Sequence, residues 1–196
     1  MKIKKHFSLS TIIATFFGSG FIPYAPGTLG SFLAFPLYAL ITYSIIVMKG
    51  GVNNLASADL INAILVFITS LFFIGVWASN EYCKETGKED PKEIVIDEVV
   101  GQLLTICLIL YMLRFIGAEA IIKVNKIGIN DFDFVIYNMI SAFIMFRIFD
   151  ITKPWPIGYI DKNYKTGLGI MLDDVAAAIF AVIMHFFVLF AVIDLI

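Results

Sequence analysis

Five acidic side chains lie at the edges of long apolar stretches, where a charge is costly and needs a reason. They form three groups, which are Asp97 with Glu98, Asp150 alone, and Asp173 with Asp174. Carboxylates without a neighbouring histidine or cysteine suit hard divalent cations, Mg²⁺ first and Mn²⁺ second. The sequence therefore offers all five as candidate metal ligands.

Helix capping is the alternative explanation for the two acidic pairs, because acids near a helix N-terminus interact favourably with its dipole. Capping does not account for a polar stripe in which Glu98, Gln102 and Thr105 share one helical face. A cap also needs one acid, whereas Asp173 and Asp174 stand side by side and repel each other unless a cation lies near. A metal site is favoured over capping at both pairs.

Asp150 has a basic residue three positions away on each side, Arg147 before it and Lys153 after it. A salt bridge at a membrane surface, with snorkelling basic side chains, explains this spacing equally well when it is taken alone. Beside the other acids, Asp150 is a candidate metal ligand or general base. The two basic residues are then candidates for neutralising a phosphate.

A turn containing glycine and proline, residues 23–31, opens directly into the first long apolar stretch. Backbone N–H groups at such a helix start can bind anions, and the hydroxyl of Thr28 or Ser31 can add a contact. An ordinary turn with a helix cap is the more common explanation. If this turn lies beside the acids, Gly27, Thr28 and Ser31 become candidate substrate-binding residues.

The composition indicates an integral membrane protein. The chain of 196 residues is 60% hydrophobic and only 15% charged, and its mean hydropathy is +0.90. A formal net charge of −2 gives no sign of nucleic-acid binding, and two cysteines without CxxC spacing suggest neither a zinc site nor disulfides. We expect a single domain over residues 1–196, with no protein partner implied.

The elements that must position these side chains are membrane-spanning helices of about twenty apolar residues. The predicted fold is therefore an all-α, polytopic membrane bundle. Residues 7–22 are too short and too glycine-rich to span, and they predict an interfacial or re-entrant helix. The five predicted spans are 29–48, 60–79, 99–113 (or to 116), 132–149 and 175–196.

The distribution of basic residues predicts the orientation of these spans. With a cytoplasmic N-terminus, ten of the 14 lysines and arginines fall on the cytoplasmic side or at its edge. Segments 18–31, 80–98 and 147–174 then all lie at the cytoplasmic face. Residues far apart in the sequence, including all the acidic groups, are expected to meet there.

At these residues the chain resembles the phosphatidylglycerophosphatase A family. The resemblance rests on Gly-Ser-Gly (18–20) with Ala-Pro-Gly-Thr-Leu-Gly-Ser (25–31), and on the segment from Asp90 through Ile-Val-Ile-Asp-Glu-Val-Val-Gly (94–101). It continues with the block 146–157, which contains Arg-x-x-Asp-x-x-Lys-Pro-Trp-Pro, then Asp161 and Gly-Ile-Met-Leu-Asp-Asp (169–174). A departure occurs at Leu168, where the family more often has a glycine-richer run. The resemblance implies a magnesium-dependent enzyme of the inner membrane that removes the terminal phosphate of phosphatidylglycerophosphate to give phosphatidylglycerol.

The expected reaction is hydrolysis at phosphorus assisted by one or two Mg²⁺ ions. Asp97 and Asp150 are expected to be catalytic, together with Arg147 and Lys153, which offset charge on the lipid phosphates. Direct attack by water and a phosphoenzyme both stay open. An ion or proton transporter is the competing class, but its acids would lie near the middle of the membrane rather than at one edge. A soluble domain with a buried helical core is a further alternative.

Overall fold

The computed structural model describes residues 8–51, 53, 56–126 and 130–194. Within this part the chain forms seven α-helices and one 3-10 helix, and no strand occurs among the described residues. The predicted all-α class is therefore confirmed. The helices are α1 (Leu9–Ala14), the 3-10 helix (Ser19–Phe21), α2 (Pro26–Met48), α3 (Ser57–Thr86), α4 (Ile96–Lys126), α5 (Asp131–Thr152), α6 (Ile157–Asn163) and α7 (Gly167–Asp194).

Five of these helices are long and apolar enough to cross a bilayer, as the sequence predicts. α1 and α6, with six and seven residues, are too short to do so. The protein is thus a multi-pass membrane protein. The spanning segments are Pro26–Met48, Ala58–Thr86, Ile96–Phe115, Phe132–Thr152 and Gly167–Val192.

Helix α4 is the innermost of the five. In its most apolar window 56% of the residues are buried, against 17% to 39% in the other spanning helices. Val99, Leu103 and Ile106 are completely buried, and the helix packs against α2, α3, α5 and α7. The first turn of α4 therefore lies in the middle of one end of the bundle.

Helix α7 packs closely on its neighbours through small residues. Ala177, Ala178 and Ala181 are completely buried and contact Phe146 and Ile157. Small side chains let membrane helices approach closely, which increases van der Waals contact where water cannot drive association. This packing holds the start of α7 against α4 and α5.

The spanning helices extend further than their apolar stretches predict, and the extensions include the start of α7 and the end of α3. α7 begins at Gly167 rather than near 175, so Asp173 and Asp174 lie in its second turn and not at its cap. The backbone N–H of Gly167 donates to Asn80 Oδ1 at 2.7 Å, which satisfies a free donor of the first turn. α3 likewise continues to Thr86, where Gly87 ends it in a left-handed conformation at φ +70°.

The N-terminal segment forms the short helix α1 and the 3-10 helix rather than one continuous helix over 7–22. It is fastened to the end of α3, because Glu85 accepts hydrogen bonds of 2.9 Å from Ser8 Oγ and from Ser10 Oγ. It also contacts the segment before α4, where the Val95 N–H donates to Ala14 O at 2.9 Å. The location of this segment at the membrane interface stays a prediction.

Candidate active site

A cavity of about 390 Å³ opens at one end of the bundle. The starts of α2, α4 and α7, the end of α5 and the α3–α4 and α6–α7 loops surround it. It collects almost all of the residues that the sequence singles out, although they are scattered over the chain. Those that line it are Gly27, Thr28, Asp97, Glu98, Arg147, Asp150, Lys153, Asp173 and Asp174.

Three carboxylates form the acidic floor of this cavity, namely Asp97, Glu98 and Asp174. One oxygen from each lies within 4.8 Å of the others. Oδ1 of Asp97, Oε2 of Glu98 and Oδ2 of Asp174 are buried, and no described residue gives them a hydrogen-bond partner. Carboxylates this close repel each other unless a cation or protons offset the charge. The donor set therefore fits a hard divalent cation.

The fold builds the acidic floor from two helices in contact. Asp97 and Glu98 come from the first turn of α4, and Asp174 comes from the second turn of α7. Gly101 permits this approach, since an added Cβ there would stand 3.1 Å from Asp174 O and 2.6 Å from the ring of Phe146. The absence of a side chain one turn after Asp97 thus lets α7 bring its carboxylate to the floor.

Asp150 lies outside the acidic floor and is paired with Arg147, whose Nη1 donates to its carboxylate. Both side chains are largely buried, at 11% and 15% exposed. Nη1 of Arg147 also donates to Ser31 Oγ at 3.3 Å, and the Ser31 hydroxyl donates to Gly27 O at 3.0 Å. Ser31 therefore contacts the arginine, and it does not line the cavity itself.

Asp173 is likewise held by a basic residue rather than by the acidic floor. Lys153 Nζ lies 2.6 Å from Asp173 Oδ2 and 2.8 Å from Asp161 Oδ1. Burial alone would lower the pKa of Lys153, but the two carboxylates outweigh it and raise that pKa above its usual value. Burial would raise the pKa of Asp161, yet its hydrogen bond from Lys153 leaves it below the usual value. The lysine therefore stays protonated.

The structure thus brings three of the five predicted metal ligands together and pairs the other two with cations. It also adds residues to the cavity that sequence reasoning did not place in the site. Their residue types and spacing do not separate them from ordinary solvated or interfacial side chains, although Asp161 and the segment that begins at Asp90 belong to the motifs of the family resemblance. They are Asp90, Lys92, Asp161, Tyr164 and Lys165.

A multi-pass helical bundle with a buried acidic site at one end defines a class of integral membrane proteins in which such acids do chemistry or carry ions. Comparison with known proteins shows which of these two activities applies. The chain matches the family model for phosphatidylglycerophosphatase A over residues 12–189. It belongs to the phosphatidylglycerophosphatase A family and is a phosphatase.

Individual relatives cover nearly the whole chain. A phosphatidylglycerophosphatase A from Haemophilus influenzae is 35% identical over 175 residues, 89% of this chain and 85% of the relative. One from Escherichia coli K12 is 30% identical over 183 residues, 90% and 81%. A Bacteroides thetaiotaomicron protein with the provisional name phosphatidylinositol-3-phosphatase is 32% identical over 186 residues, 93% and 94%. No solved structure matches the chain.

Proposed function

We propose that this protein hydrolyses the terminal phosphate monoester of phosphatidylglycerophosphate, releasing phosphatidylglycerol and inorganic phosphate. The observation that carries the proposal is the acidic floor of Asp97, Glu98 and Asp174, with its unpaired buried oxygens. The names of the Escherichia coli and Haemophilus influenzae relatives supply the substrate.

The acidic floor would hold Mg²⁺, or Mn²⁺ in its place, because hard oxygen ligands suit these ions. When bound, the ion supplies electrostatic stabilisation to the phosphoryl oxygens and makes a water more acidic. The number of ions is not part of the proposal. Asp173, the neighbour of Asp174 in sequence, lies outside the acidic floor and acts through Lys153, which it holds in the cavity.

The remaining side chains would neutralise the charge of the phosphate and accept a proton. Arg147 lines the cavity, and its buried Nε has no hydrogen-bond partner among the described residues, so the guanidinium keeps donor capacity for a phosphoryl oxygen. Lys153 stays protonated and offsets further negative charge. Asp150, oriented by Arg147, is the base that accepts the proton of the attacking water. Thr28 can contact the headgroup from the start of α2, where it lines the cavity.

The proposed location is the inner membrane, with the cavity open to the cytoplasm. The support is the excess of lysine and arginine in the segments that surround the cavity, which favours the cytoplasmic side. The membrane itself is the source of the substrate, since a lipid reaches such a site without leaving the bilayer. No protein partner is part of the proposal.

The relative from Bacteroides thetaiotaomicron favours a second candidate substrate. Its name specifies a phosphorylated phosphatidylinositol, and the alignment covers 93% of this chain. The chemistry is the same, because both lipids carry a phosphate monoester on a headgroup that is joined through a phosphodiester. Phosphate release from the two lipids, measured side by side, distinguishes these substrates.

The decisive experiment measures phosphate release from phosphatidylglycerophosphate by the purified full-length protein in detergent micelles. Activity is expected with Mg²⁺ and lost with a chelator. D97N and D174N should each lose activity while eluting from a sizing column like the unaltered protein. Full activity in both variants would contradict the proposed metal site, and ion flux in liposomes without phosphate release would favour a transporter.

A further inference from the structure

Two lysines at the opening of the cavity take no part in the reaction as proposed. Lys92 lies in the loop before α4 and Lys165 in the loop before α7, and both side chains line the cavity. Both residues are exposed, whereas the acidic floor is buried or half-buried. We name this pair of lysines the basic mouth of the cavity.

The other basic side chains that face the acids are already ion-paired. Arg147 is bound to Asp150, and Lys153 lies within 2.8 Å of both Asp173 and Asp161. Carboxylates of the protein therefore already offset much of the positive charge of these two side chains. An incoming lipid with more than one phosphate needs further positive charge.

The positive charge of the basic mouth is less strongly paired within the protein. Lys92 forms no ion pair with any residue in the described part of the chain. Lys165 Nζ lies 3.9 Å from Asp161 Oδ1, at the outer limit of an ion pair, and that aspartate is already bonded to Lys153 at 2.8 Å. Exposed ammonium groups of this kind keep most of their attraction for an anion that arrives from the membrane surface.

The shape of the substrate matches this separation of charge. Phosphatidylglycerophosphate carries a terminal phosphate monoester and a phosphodiester on either side of one glycerol. The monoester must reach the acidic floor to be hydrolysed, which leaves the phosphodiester towards the opening. A cavity of about 390 Å³ is within the range that holds a small polar headgroup.

We infer, on the basis of the proposed function, that Lys92 and Lys165 bind the phosphodiester of the lipid substrate. They then determine specificity for lipids that carry a second phosphate beside the one that is removed. Their role is in binding, so they affect the concentration at which substrate saturates the enzyme rather than the rate of the chemical step.

The test uses K92Q, K165Q and the double variant of the full-length protein, assayed on phosphatidylglycerophosphate in detergent micelles with Mg²⁺. K162Q is the matched control, because Lys162 is exposed on α6 three residues before Lys165 and lies outside the cavity lining. Inorganic phosphate, which has no diester and needs only the acidic floor, serves as a competing inhibitor.

KM should rise about threefold to tenfold in each single variant, as expected for loss of a partly exposed charged contact, and further in the double variant. The value of kcat, the melting temperature and the inhibition constant of phosphate should stay unchanged, as should all values for K162Q. A purely structural role would instead lower kcat and the melting temperature.

An unchanged KM in the double variant would overturn the inference and leave the proposed function intact. A rise in the phosphate inhibition constant that parallels KM would also overturn it, because the lysines would then attract any anion. Absence of phosphate release by the unaltered protein would instead overturn the proposed function, and this inference with it.

Discussion

Gly27, in the first turn of α2, lies directly against the carboxylate of Glu98. An added Cβ at this position would stand 2.0 Å from Glu98 Oε1 and 3.3 Å from Arg147 Nη1. The close neighbour is the free end of a side chain, which can rotate away without disturbing the backbone. Glycine at this position therefore leaves room for the Glu98 carboxylate in the acidic floor, and the anion binding that the sequence suggests for its backbone stays a prediction.

G27A is expected to weaken activation by Mg²⁺ about 10-fold to 100-fold, the usual effect when the support of a metal ligand is lost. The fold should persist, because Glu98 can move aside. The measurement is phosphate release against Mg²⁺ concentration. F32A is the control, since Phe32 lies on the same helix and is 60% exposed. Identical activation curves for G27A and the unaltered protein would contradict the role of Gly27.

Removal of one acid from the acidic floor should stabilise the metal-free protein. Without a cation, the ionised carboxylates among Asp97, Glu98 and Asp174 repel one another, and D174N removes one of the three acids. If the relief is about 1 kcal/mol, the melting temperature with chelator rises by about 2–4 °C. The stabilisation that Mg²⁺ gives to the unaltered protein should disappear in D174N.

Thermal melts in detergent, with chelator and with Mg²⁺, measure both effects. E89Q is the matched control, because Glu89 is an exposed acid in the loop before α4 and does not line the cavity. It should melt like the unaltered protein under both conditions. A D174N variant that is less stable with chelator, or that keeps its Mg²⁺ response, would argue against a metal at this position.

The sequence predicts the five spans and the meeting of the acidic groups, because both follow from hydropathy and from the side of the membrane on which each loop falls. It does not predict that α7 begins at Gly167, since that start depends on a hydrogen bond from the Gly167 N–H to Asn80, which lies 87 residues earlier in the chain. For the same reason the sequence does not show which acids could bind a metal and which are paired with basic side chains. The contact of Lys153 with Asp173 becomes visible only when α5 and α7 are placed together.

Gly20 supports the chain segment that leads into the acidic floor. An added Cβ would stand 1.9 Å from Glu93 O, a backbone atom that cannot rotate away. G20A must therefore displace the segment before Asp97. We expect a loss of kcat and a weaker response to Mg²⁺, with the largest effect on metal activation.

G18A is the control that distinguishes displacement of this segment from backbone strain alone. Gly18 has φ +87°, and a Cβ there would meet only Phe21, at 3.8 Å. Alanine at this position costs about 1 kcal/mol of backbone strain but moves nothing near Asp97. Melting temperatures and Mg²⁺ titrations of both variants give the answer. If G18A and G20A lose metal activation equally, Gly20 has no particular role in positioning the acidic floor.

His185 is tied to Ser141 deep in the bundle, and this pair should matter for stability rather than for chemistry. Nδ1 of His185 lies 2.8 Å from Ser141 Oγ, which joins α7 to α5 across 44 positions of sequence. Hydrogen bonds between membrane helices contribute about 0.6–1.7 kcal/mol. S141A should therefore melt a few degrees lower, with kcat and KM unchanged.

S70A, which removes only an exposed hydroxyl bonded to its own helix, should melt like the unaltered protein. Loss of kcat in S141A at an unchanged melting temperature would instead place His185 in the reaction.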